Sequence, residues 1–288
     1  MKKIITFISL FCIILLTSSL LSPVIYSHTD FKFHRIMSRL IMVQFLAVAF
    51  WLYRKADKTN IKKLFINYGL RWQKGISKKH IAIGFGLTFL VLVLLMCVEV
   101  PLGARYLKLN IKAKWPLQII EYICAAFIIG FIEEFFFRGM VFKKAKNVSL
   151  VFAYFFTNSF YAIVHFFKAG HVPVGETATV YDSFRIIAGL LEPFADPVSI
   201  LPAFIGLFIF GSLLSYAYEK TRSLYYSIGI HAGAVFFLKI DGFFLHTNND
   251  ASQLIYGDKN VYTGILGWIF IIFIWIILHY IIRKDESR

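Results

Sequence analysis

The chain has 288 residues, of which 58% are hydrophobic, 18% aromatic and only 16% charged. A polar surface cannot be assembled in water from that composition, so a soluble globular domain is excluded and an integral membrane protein is expected. The formal net charge of +15 follows from Lys and Arg placed between apolar stretches, so it calls for no nucleic-acid partner. A spanning helix needs about 20 mostly apolar residues, and eight stretches answer to that description. They run in order from Ile4 to Tyr26, Leu40 to Tyr53, Ile81 to Ala104, Pro116 to Phe137, Ser149 to Phe167, Pro197 to Tyr218, Ser223 to Phe243 and Tyr262 to Ile282. The second is short and can begin at Ile36, with Arg39 reaching to the interface. Continuous apolar runs, rather than alternation, predict helices and not a barrel. The fold class expected is all-α, a polytopic transmembrane helical bundle, organised as one domain over residues 1–288.

Charge between the stretches sets an expected orientation. Arg54 to Lys79 carries Lys55, Lys62, Lys63, Arg71, Lys74 and Lys78 against the single acid Asp57, which places it in the cytoplasm with both termini. Arg105, Lys108, Lys112 and Lys114 then fall outside, against the trend. Lys2-Lys3 ahead of an apolar core, with Thr17-Ser18-Ser19 after it, also reads as a cleavable secretory signal. Cys12, Cys97 and Cys124 lie in apolar stretches without paired spacing, so neither a disulfide nor a thiolate metal site is expected. Two hydrophilic segments stand out. Leu64, Phe65, Ile66, Leu70 and Trp72 among basic residues fit a short amphipathic helix on the bilayer surface or a plain basic loop. In the acidic outer segment with Glu176, Asp182, Glu192 and Asp196, the run Ser183 to Leu191 has the apolar residues to dock on the bundle or to line an entrance.

The fourth stretch holds an adjacent pair of acids, Glu133 and Glu134. An acid near the centre of a spanning helix costs roughly 2.5 to 3.5 kcal/mol, which points to function. Glu134 and Arg138 are four apart and share a helix face, so they can pair, while Glu133 projects about 100° away. That geometry leaves one carboxylate available as a general base or acid. The alternative is an interfacial cluster in which Arg138 and Lys143 pair both acids. In the fifth stretch Asn158, Tyr161 and His165 stand three and four apart, and in the seventh Ser227 and His231 stand four apart. One membrane histidine is ordinarily a packing residue; two, with an acidic pair in a third span, form a constellation that packing does not require.

Glu133-Glu134-x-x-x-Arg138, then Tyr161-x-x-x-His165, then His231 after Ser223-Leu224-Tyr225 resemble the successive motifs of the CPBP family of intramembrane proteases. That family includes the CAAX prenyl protease 2 type and the bacterial Abi proteins. The resemblance covers Pro116 to Val235 and implies a protease core over residues 116–243, acting on a membrane-associated or lipidated peptide or protein in the bilayer. Carried over position by position, it implies that Glu133 activates water, His165 assists it or binds a metal, and His231 stabilises the oxyanion. Glu134 and Arg138 hold the first motif in place. Glu133, His165 and His231 also compose a donor set for zinc, and the resemblance leaves the metal and metal-free mechanisms open. A bacterial inner membrane is the expected location.

Two positions depart from the family pattern. Tyr161 stands where Phe is usual, and Val235 stands where Asn or Asp usually follows the last histidine by four. Valine cannot donate to an oxyanion, so Asn158 is the expected substitute for the missing amide. Two other functions stay open: a catalytically weak or inactive family member in peptide-toxin immunity or partner binding, and an ion-coupled transporter using Glu99, Glu121, Glu133 and Glu134. Depth along the helices also separates the histidines, since His165 lies nearly 30 Å from Lys146 whereas His231 lies roughly 13 Å from Arg222.

Overall fold

The computed structural model describes residues 2–57, 60–108, 115–167, 174–175 and 177–286. Lys112, Lys114 and Glu176 lie outside the described residues. In chain order the elements are α1 (Lys2–Tyr26), α2 (Phe33–Asp57), α3 (Ile61–Asn67), α4 (Ile76–Glu99), β1 (Arg105–Leu107) and α5 (Trp115–Glu134). A π-helix over Phe135–Phe142 and α6 (Lys143–Ala145) continue α5, followed by α7 (Leu150–Val164), α8 (Val180–Gly189) and α9 (Pro197–Thr221). The chain then forms α10 (Tyr225–Phe244), β2 (Leu245–Thr247), α11 (Gln253–Tyr256) and α12 (Ile265–Glu286). The protein is an all-α polytopic helical bundle, and each of the eight apolar stretches is a helix. Among the described residues six helices, α1, α2, α4, α9, α10 and α12, are long and apolar enough to cross a membrane. The expected count of eight spans is therefore reduced by those criteria. α7 has 15 residues, and α5 carries Glu121, Glu133 and Glu134.

The chain divides into two compact units, Met1–Ile61 with Ile163–Ile200, and Lys62–Ala162 with Leu201–Arg288. In the first, Phe33 and Met37 of α2 and Ile186 of α8 form a buried apolar cluster. Ser183 donates to the carbonyl of Ser19 at 3.0 Å, so the run from Ser183 docks on α1. α8 is started by a capping box, in which the Thr179 hydroxyl and the Asp182 carboxylate satisfy each other's backbone N–H groups. Asp182 also accepts from the Thr179 hydroxyl, which holds its carboxyl below the usual range. Thr17 and Ser18, the small residues of the signal-like pattern, bond to Gln44 of α2.

In the second unit α10 is the central helix, packed against α4 and α5. Its contact with α4 is made backbone to backbone: a Cβ on Gly233 would stand 2.7 Å from the carbonyl oxygen of Phe85, and one on Gly84 2.6 Å from that of Tyr226. Small residues at such crossings let apolar helices gain dispersion contact where the hydrophobic effect offers nothing. Gly233→Val is expected to lower stability by about 1–3 kcal/mol through overpacking, read as a lower thermal midpoint in detergent. At one end of this helix pair the short ribbon of β1 and β2 pairs Arg105 with Thr247, Tyr106 with His246 and Leu107 with Leu245. At the other end Asp285 of α12 binds Lys79 at 2.8 Å and accepts from the Tyr226 hydroxyl at 3.2 Å, while His80 stacks on Tyr226. The basic segment is helical at α3; Leu64 is buried, and Phe65 and Tyr68 pack on Phe135, so this amphipathic piece rests on protein.

Candidate active site

α5 reaches Glu134 as an ordinary α-helix and widens there into the π-helix, a local geometry found at functional sites because it re-aims side chains within a helix. Arg138, inside the π segment, is fully buried and donates to Glu134 Oε1 at 2.9 Å, the pair expected from the spacing. Its second terminal nitrogen donates to the carbonyl of Gly211 in α9 at 3.0 Å. The guanidinium also lies 4.6 Å from the centre of the Tyr161 ring, a cation–π contact. Tyr161 thus supplies an aromatic face, which a phenylalanine also offers. Gly211 is required by this crowding: a Cβ there would stand 3.0 Å from Asn158 Oδ1 and 3.2 Å from the guanidinium.

The sequence does not reveal the partner that crosses to α10. His231 Nδ1 lies 2.8 Å from the same Glu134 Oε1 that receives Arg138. A carboxylate can only accept, so Nδ1 carries a proton in the neutral and in the charged ring alike, and Nε2 is the nitrogen left to act. Nε2 faces Glu133, with 3.8 Å to its Oε2. His231 and Glu134 are buried, whereas the Glu133 side chain is 27% exposed, its Oε2, the oxygen facing the imidazole, being itself buried. The rings of Tyr161 and Phe210 stand edge-on to the imidazole at 6.3 and 5.9 Å, which limits its rotation.

Asn158 is fully buried, and both ends of its amide are engaged with α9: it donates to Ser212 Oγ at 3.0 Å and accepts from Ser215 Oγ at 2.9 Å. This ties α7 to α9 behind Arg138. Ser227 Oγ donates to the Leu214 carbonyl at 2.9 Å, which ties α10 to the same helix. Gly211, Ser212 and Ser215 were not singled out from the sequence, though a Gly-Ser pair and a further serine in an apolar helix are a readable sign of polar contact. Val235 packs in an apolar cluster with Ile123 and Phe127 of α5 and Phe89 of α4. His165 lies in the turn after Val164, half-buried, and belongs to the first compact unit. Glu133, Glu134, Arg138, Asn158, Tyr161 and His231 all belong to the second.

Among the described residues no three His, Cys, Asp or Glu side chains gather into a set able to hold a metal ion. Glu133 and His231 make two donors, and Nδ1 of His231 is engaged by Glu134. His165, the third member of the expected zinc set, belongs to the other compact unit, and no chemical step is routed through a metal here.

The family model Rce1-like, type II CAAX prenyl endopeptidase, matches residues 115–237. This is the CPBP/CAAX protease family indicated by the motifs, and its bounds agree with the stretch Pro116 to Val235. The Rce1-like segment begins with α5 and ends inside α10, so it contains both acids, Arg138 and His231. No curated protein and no solved structure matches the chain.

Proposed function

We propose that this multi-pass membrane protein is a CAAX-type intramembrane endopeptidase that uses Glu133 and His231 as its reacting groups. The observation that carries the reading is the placement of Glu133 Oε2 3.8 Å from His231 Nε2, with the far side of the imidazole fixed by Glu134. In the proposed step the Glu133 carboxylate takes a proton from water as the water oxygen bonds to the scissile carbonyl carbon. His231, as imidazolium, donates Nε2–H to the oxyanion that forms. Glu133 then returns its proton to the departing amine nitrogen as the C–N bond breaks. Glu134 and Arg138 orient the imidazole without touching substrate, and Asn158 positions α7 against α9. The substrate is a membrane-associated or lipidated peptide or protein. The membrane is a bacterial inner membrane, with both termini in the cytoplasm.

Cleavage of a quenched-fluorescent peptide library by purified protein in nanodiscs tests the reading, with Glu133→Ala as the blank and a chelator arm that separates the zinc from the metal-free mechanism. Cleavage by wild type that the blank lacks supports it; identical traces sink it.

Val235 favours a second reading, a family member that binds without cutting efficiently, because valine stands where the family pattern carries an Asn or Asp that would serve the oxyanion. One oxyanion donor is worth about 10²–10³ in rate. Val235→Asn is therefore expected to raise the cleavage rate at least about tenfold while lowering the thermal midpoint, since it places an amide in an apolar cluster. An unchanged rate would mean that His231 alone serves the oxyanion.

A further inference from the structure

A second group of buried charges lies at the other end of α10. Asp241 is ten residues beyond His231, about 15 Å along the helix at 1.5 Å per residue. Arg105 Nε binds Glu99 Oε2 at 2.7 Å and Arg105 Nη1 lies 3.6 Å from Asp241 Oδ2; all three residues are at most 5% exposed. The remaining guanidinium nitrogen donates to the carbonyls of Asp258 and Lys259. Arg105 is thereby fully engaged, and two carboxylates share one cation. Asp241 Oδ1 is buried without a hydrogen-bond partner, and Asp241 lines a cavity of about 570 Å³. A buried charged oxygen left unmatched is costly, and a cavity of this size is in the range that holds small ligands.

The chemistry of the walls narrows the occupant. Asp241 offers a negative acceptor, and Lys259, which is exposed and lines the same cavity, offers a positive charge. A group carrying both an N–H-bearing cation and an anion matches that pair. The position points to its source. α4 ends at Glu99 and α10 at Phe244, both membrane-crossing helices by length and apolarity, so their shared end stands at headgroup level. Around it Tyr106, Leu107, Leu254 and Ile255 are exposed, as suits residues bordering acyl chains. We infer that this cavity binds a phosphoethanolamine group, with its primary ammonium toward the Asp241 carboxylate and its phosphate toward Lys259, supplied by an aminophospholipid.

Two variants test it. Asp241→Asn removes the charge. Gly242→Phe fills the space, because Gly242 lines the cavity and a Cβ there meets nothing within 4 Å. Native mass spectrometry of the full chain from a mild detergent, supplied with phosphatidylethanolamine, phosphatidylcholine or phosphatidylglycerol, reads retention directly. Wild type is expected to retain phosphatidylethanolamine about tenfold over phosphatidylcholine, the scale of one charge-assisted hydrogen bond. Asp241→Asn is expected to erase that preference while leaving phosphatidylglycerol unchanged. Gly242→Phe is expected to erase it with the thermal midpoint kept. Soluble phosphoethanolamine bound as tightly as the lipid would assign the same site to a free ligand and overturn the lipid as source. Equal retention of the ethanolamine and choline lipids by wild type, or wild-type retention by Gly242→Phe, overturns the site.

Discussion

Glu133→Gln is expected to lower kcat/KM by about 10³–10⁴, at the upper end of what a positioned general base contributes. The amide keeps the volume of the carboxylate and its place opposite His231 Nε2, but it cannot take the proton from water. Because the Glu133 side chain is 27% exposed, the thermal midpoint should move little, which separates a chemical loss from a folding loss. Single-turnover cleavage in nanodiscs is the cleaner readout, since product release into the bilayer then does not mask the step. A variant retaining more than a tenth of wild-type turnover would remove Glu133 from the role of base.

Arg138→Ala is expected to be the most destabilising single change in the site, by about 3–5 kcal/mol, because it strands the buried carboxylate of Glu134. It also removes the donor to Gly211 and the cation over Tyr161. Arg138→Lys should fall between wild type and Arg138→Ala, since one ammonium cannot reproduce the forked contact to Glu134 and to the Gly211 carbonyl. The double variant Glu134→Gln with Arg138→Met is expected to recover much of the stability but not the cleavage, because Nδ1 of His231 then loses its carboxylate. Denaturation midpoints followed by circular dichroism in detergent check the order. A loss below about 1 kcal/mol for Arg138→Ala would place the pair among interactions that solvent screens.

The helices were legible because the signal for a spanning helix is long and one-sided: apolar runs between basic loops left little choice about where each began. α2 shows the limit of that signal, since its polar first turns, with His34, Arg35 and Arg39, weaken the hydropathy while leaving the helix intact from Phe33 to Asp57. The Glu134–Arg138 pair was legible because spacing of four is a property of one helix. The Glu134–His231 bond was not, because it joins residues 97 apart, and no local pattern says which acid of an adjacent pair turns toward which helix. The roles of Gly211, Ser212 and Ser215 were hidden for the same reason. Asn158, expected as a spare amide, turns out to be committed at both ends, a fact visible only when α9 is laid beside α7.

The helix that carries His231 is fastened to α4 like a rail held by brackets, with the β1–β2 ribbon at one end, the Asp285, Lys79 and Tyr226 cluster at the other and interlocked glycines along its length. Such a rail leaves α4 and α10 little freedom to separate without breaking several attachments at once. In the proposed endopeptidase, any widening to admit a polypeptide would then fall to elements other than the α4–α10 pair. In that reading the imidazole would be the stationary jaw of a vice, and selectivity among substrates would reside in whatever closes on it.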